Sequence, residues 1–207
     1  MNTKTKNKAV IAYHFTNEKL RDGSPIPKKG VWLKHKGEIQ PCASGLHASI
    51  HPFDALQFAP GNLLHLVEVR GGIQHHDKNK LVGRERRILK TINAEKLLRD
   101  FARWNALRVL HLWPNPPEVV VRFLKTGDES LRAAAQNAAW AAAQKAAWAA
   151  AQNAAWAAAW DAAWAAARAA ARAAAWAAAW DAAWAAFIAK SRRKFAAMVR
   201  AEFAKIK

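Results

Sequence analysis

Cysteine occurs once in the 207 residues, as Cys42, and tyrosine once, as Tyr13. A lone cysteine excludes an internal disulfide and fits a reducing, cytoplasmic setting. Glycine and proline stop early: no proline follows Pro117 and no glycine follows Gly127. Acidic residues are scarce as well, 15 Asp plus Glu against 33 Lys plus Arg, which leaves a formal charge of +18. The surplus is about +10 over residues 1–130, +2 over 131–189 and +6 over 190–207. It favours polyanionic partners and says nothing of fold. The opening "MNTKTKNKAV" is basic and polar with no long apolar run behind it, so no signal peptide is expected. Walker A, G-x-G-x-x-G, G-x-S-x-G and H-E-x-x-H patterns are all missing, which removes the simplest nucleotide-binding, hydrolase and zinc-protease readings.

What is present divides into three parts and predicts an α+β protein. Residues 1–92 read as a small mixed α/β domain. "AVIAYHF" and "LLHLVEV" have strand composition, "GVWLKHKGEIQ" reads as two short strands around Lys36-Gly37, and "RRILKTI" as a last strand. "HPFDALQFAPG" reads as a short helix with Pro52 at its first position and Asp54 in its first turn. Residues 93–127 form a two-helix connector. Asn93 is placed to cap the first helix, and Leu97, Leu98, Phe101, Ala102, Leu110 and Trp113 are spaced as its core stripe. Asn115 is placed to cap the second, with Pro116 in its first turn and Gly127 at its end. Thr126-x-x-Glu129 then matches a capping box opening an all-α region over 128–207 that runs to about Ile206.

That region is mostly alanine, the strongest helix former. Large residues recur every fourth position from 136 to 184, among them Trp140, Trp148, Trp156, Trp160, Trp164, Trp176, Trp180 and Trp184. At 3.6 residues per turn, each step of four overshoots by roughly 40°, so the row winds round the helix once in about 36 residues, or roughly 54 Å. One straight neighbour cannot cover such a row. The tryptophans are therefore expected as contacts between folded-back helices or between copies, or as rings offered to a ligand. Several polar or charged side chains fall in every window of about 20 residues, which disfavours a membrane span. Stacking and neutralisation of single-stranded nucleic acid is the sharper option, through the indoles with Arg168, Arg172, Lys190, Arg192, Arg193, Lys194 and Arg200.

Cys42, Gly45, Leu46, His47, Pro52, Asp54, the strand Leu63 to Val69 and Gly71 carry a family resemblance over about residues 28–92. The segment resembles a domain found in many bacteriophage and prophage proteins, with the pattern C-x-x-G-F/L-H-x-C followed by N/H-P-x-D. Here Ser49 stands where a second cysteine is common, so no Cys–Cys metal or redox pair is expected. The alanine, tryptophan and arginine repeats are similar to those of uncharacterised phage proteins. That setting implies a host-cell cytoplasmic location and a role in genome handling or in countering host defence. A second likeness is to the ADP-ribosyltransferase fold. It implies His14, His47 and Ser49 holding the nicotinamide-side ribose and Glu85 orienting a hydroxyl, with NAD as substrate. The bland alternative makes Tyr13 and His47 packed strand residues and pairs Glu85 with Arg84 or Arg86 on a solvated face.

No other constellation rises as high. A zinc site needs three or four converging ligands, often with a closely spaced pair, and the histidines at 47, 51, 65, 75 and 76 do not supply one. No metal and no resident cofactor is expected. The leading expectation is a non-enzymatic interaction protein that self-associates through its Ala/Trp helices and binds nucleic acid or a ribonucleoprotein. The alternatives are an ADP-ribosyltransferase-like enzyme and a purely structural oligomeric rod.

Overall fold

The computed structural model describes residues 8–76, 79–160 and 162–206. The chain is α+β, and two compact units divide it: Met1–Arg99 with Arg192–Lys207, and Asp100–Ser191.

In the first unit, alternating strands build two antiparallel sheets. The larger has the order β1 (Val10–Thr16), β4 (Leu63–Arg70), β7 (Glu85–Asn93), β2 (Trp32–Lys34). The smaller has the order β3 (Leu46–Ala48), β6 (Lys80–Gly83), β5 (Gln74–His76). The edge strand β1 continues towards β3 through Tyr13 and Ser49, whose backbones exchange hydrogen bonds of 2.8 and 2.9 Å. Period-two alternation sends Ala12, Val67, Val69 and Ile88 to one face, where Ala48 and Leu81 of the smaller sheet close the core. A bulge at Leu66/Val67 keeps β7 in phase with that face.

The opposite face carries Tyr13, Phe15 and Leu64, and the end of the last helix lies against it. Helix α5 (Ala162–Ala204) buries Phe195, Ala196, Val199 and Phe203. The Phe203 ring lies 6.3 Å from that of Tyr13, and Phe195 meets Phe53 edge-on at 6.2 Å. Lys90 donates to the carbonyls of Phe203 and Ile206 at 3.3 and 2.6 Å, where the negative end of a helix favours a cation. Arg192 grips the buried Asp54 with two hydrogen bonds, the second at 2.6 Å. Asp54 itself stands in the first turn of α1 (Pro52–Leu56), whose N-cap is the His51 side chain.

The expected strands at residues 9–15, 63–69 and in "RRILKTI" are present. Of the two strands expected around Lys36-Gly37 only β2 forms; beyond it Gln40 turns back to bridge Ser44. Helix α2 (Glu95–Val109) starts where Asn93 accepts a hydrogen bond from Glu95 N–H at 2.9 Å. It ends earlier than the apolar spacing predicts, giving way to a 3-10 turn over Leu110–Leu112. Leu97 and Phe101 are buried as expected, whereas Ala102 is exposed.

In the second unit, α3 (Glu118–Thr126) begins after Pro117, because Asn115 takes a left-handed φ of 52° and its side chain does not cap. Gly127 closes α3 in the left-handed conformation, as its position suggests. The Thr126/Glu129 capping box does not form: Asp128 caps the next turn by accepting from Ser130 N–H at 3.0 Å, while Thr126 accepts from Asp128 N–H. Helices α4 (Arg132–Trp160) and α5 follow, on either side of Asp161, which lies outside the described residues. The last helix ends at Ala204, just short of the expected Ile206. Within this unit Ser191 donates to Asn105 at 2.7 Å, and the Arg108 guanidinium lies 4.2 Å from the centre of the Phe187 ring.

Candidate functional site

The residues that carry the domain resemblance turn out to hold the first unit together. Cys42 has φ 66°, and its N–H is caught at 3.1 Å by His47 Nε2, so the imidazole clasps the loop that precedes β3. Gly45 has φ 111°, and a Cβ there would sit 2.6 Å from Val82 Cγ2, so no other residue fits. Pro52 opens α1, Asp54 is the buried partner of Arg192, and Gly71 accepts from Arg84 N–H at 2.9 Å. This motif is architectural in the described structure.

A second group lies on the inner face of the larger sheet. His14 on β1, His65 on β4 and Arg86 on β7 line one small cleft with Thr16, Leu33 and Ile88, and its interior has room for about one water molecule. His65 is fully buried. Thr16 and Thr91 hydroxyls stand 2.8 Å from its Nε2 and Nδ1, so both ring nitrogens are satisfied. Burial, with Arg86 beside it, pushes its pKa down to about 4 and keeps it neutral. Burial, then the charge of Arg86, drives His14 well below the ordinary histidine range too. Arg86 is 7 % exposed and donates through Nη1 to the His47 carbonyl; burial brings even its guanidinium down to about 10.

Of the four residues expected in an ADP-ribosyltransferase arrangement, the fold brings three near one another and sets the fourth apart. His14 lies on the inner face, Ser49 is buried beside Tyr13, and His47 points its carbonyl at Arg86. Glu85 precedes Arg86 on the same strand, so alternation turns it to the other face. There it binds Arg70 at 2.5 Å and Lys34 at 3.6 Å, and these cations, with the Arg70 hydrogen bond foremost, lower its pKa. Arg86 is the member that the sequence reading overlooked. Its phase was legible: it stands two residues before Ile88 in a strand whose alternate positions face the core.

The predicted nucleic-acid residues split. Arg192 is tied to Asp54, whereas Lys190, Arg193, Lys194 and Arg200 are exposed. Trp140 and Trp148 are 67 % and 69 % exposed, and Trp184, stacked over Phe187 at 5.7 Å, is 52 % exposed. Eight residues along a helix is a rotation of about 80°, so α4 is open to solvent over a wide arc at Trp140 and Trp148. The side chains of Trp156, Trp160, Trp164, Arg168, Arg172, Trp176 and Trp180 lie outside the described ones. No helix among the described residues is long and apolar enough to cross a membrane.

Residues 10–100 carry a domain of unknown function (DUF7666), somewhat less than half of the chain. No curated protein and no solved structure matches the chain.

Proposed function

We propose that this chain is a non-enzymatic interaction protein that binds a polyanion, nucleic acid or a ribonucleoprotein, and associates with its own copies through the Ala/Trp helices. The exposure of Trp140 and Trp148 carries this reading. Exposed indoles in series on a soluble chain mark an interface, and π-faces beside cations are what unpaired bases stack on. The charge of +18 supplies the long-range attraction. The setting that fits is a bacteriophage protein acting on genomes or against host defence, a context that rests on the resemblance of the first domain and the repeats. The alternative NAD-dependent chemistry is not carried forward, since Glu85 stands away from His14.

The test is fluorescence anisotropy with a labelled single-stranded oligonucleotide. Binding weakens by at least about tenfold between 50 and 200 mM salt, as release of several counterions requires. Replacing Trp140 and Trp148 together by alanine weakens it further at fixed salt, by about 1–3 kcal/mol for each stacked base lost. Absence of binding at low salt overturns the proposal.

A further inference from the structure

We propose that the cleft on the inner face of the four-stranded sheet is an oxyanion site, in which Arg86, His14 and Thr16 receive the carboxylate or phosphate group of a small ligand. The argument starts from charge balance. Arg86 is 7 % exposed, and among the described residues its hydrogen bond goes to a neutral carbonyl, that of His47. No carboxylate pairs with it among the described residues. A buried charge left without a counter-charge is expensive, and breaking a buried pair typically costs several kcal/mol for this reason. The acidic residue next to it in sequence, Glu85, is committed to Arg70 and Lys34 on the opposite face. No carboxylate among the described residues supplies the balancing negative charge; a bound anion does.

The donors are in place for it. A guanidinium has five N–H groups in a planar fork suited to paired oxygens. Every fully enclosed side-chain nitrogen and oxygen among the described residues has a partner, so the Arg86 nitrogens that do not bond His47 are not fully enclosed, and Arg86 lines the cleft. His14 lines the same cleft, and its ring nitrogens bond no partner among the described residues. Thr16 bonds His65 Nε2 at 2.8 Å, and when that nitrogen carries the proton the threonine hydroxyl is free to donate outward. Leu33 and Ile88 form apolar flanks of the cleft, and a low local dielectric strengthens each of these bonds. The interior has room for about one oxygen of such a group, so the remainder of the ligand stays outside, and the rest of the chain's positive charge draws anions towards it.

This site is independent of the polyanion reading and is tested apart from it. Sodium phosphate and, separately, sodium acetate are titrated into the full-length 15N-labelled chain at constant ionic strength, following the Arg86 Nε–H and His14 ring resonances. The expected result is a saturable shift at both residues with at least one of the two anions, lost in Arg86→Gln and kept in Arg84→Gln, where an exposed arginine that donates to Gly37 is removed. Phosphate alone producing the shift assigns a phosphoryl ligand, and acetate alone a carboxylate. Should Arg86→Gln fail to fold, the wild-type titration decides by itself. Shifts that never saturate, or that spread over exposed lysines and arginines and leave Arg86 unmoved, overturn the site.

Discussion

Two stretches of this chain space their large side chains by four, and the fold treats them in opposite ways. Phe195, Val199 and Phe203 are 0 %, 0 % and 7 % exposed, while Trp140 and Trp148 are 67 % and 69 % exposed. Residue size does not separate them, nor does apolar character. Length does. A spacing of four drifts by roughly 40° per step, so two steps stay within the apolar stripe of about 100° that one sheet can cover. In the sequence the spacing of four runs on for eleven steps, from 140 to 184, more than one flat surface can follow along a straight helix. The same spacing is buried at Phe195, Val199 and Phe203 and open to solvent at Trp140 and Trp148.

The comparison is most directly strained by Phe195→Ala. Deleting a fully enclosed ring that packs on Phe53 is expected to cost about 3–5 kcal/mol, read from the midpoint of urea unfolding of the first unit. A loss below about 1 kcal/mol there breaks the contrast, because the helix end would then be loosely held.

Acid gives the next largest effect. The folded-state pKa of His65 is about 4, below its ordinary 6.5, so the unfolded chain binds more protons between those values. Stability is therefore flat above about pH 6.5 and falls as pH drops towards 4, by up to roughly 3 kcal/mol from this residue. His14 pulls in the same direction, and both rings face the permanent charge of Arg86. His65→Gln should flatten the slope of stability against pH in that window; an unchanged slope removes His65 from the account. Trp148→Ala sits at the small end, within about 0.5 kcal/mol of wild type for the monomer. A cost of several kcal/mol that grows with protein concentration would show that the indole is buried between copies.

How much of this was legible in sequence follows the same logic of range. Strands β1, β4 and β7 and helix α1 declare themselves through alternation, Pro52 and flanking turns, because those signals are local. The short strands β3, β5 and β6 do not, since three or four residues carry too little pattern and are fixed by their partners. Asn115 has the residue type of a cap, but the two prolines that follow it leave Pro117 as the N-cap of α3 and Asn115 in a left-handed conformation before it. The cleft was half readable: His14 drew attention for its chemical type, while Arg86 was hidden because only pairing across β4 brings the two together. The basic end of the chain misled in another way. Its charges were visible at once, and the Phe195, Val199 and Phe203 stripe between them was passed over.

That stripe bears on how the protein comes to exist in a cell. Strand β7 ends at Asn93, yet the ring that meets Tyr13 belongs to Phe203, 110 residues later. At synthesis speeds of about 5–20 residues per second, the newly made sheet waits roughly 5–20 seconds on the ribosome with one apolar side uncovered. During that interval the alanine-rich stretch is being made, and it can coil by local contacts alone without competing for the waiting surface. Whatever shields nascent chains must hold this one until its final helical turns emerge, and a ribosome that stalls midway leaves behind a sheet prone to stick.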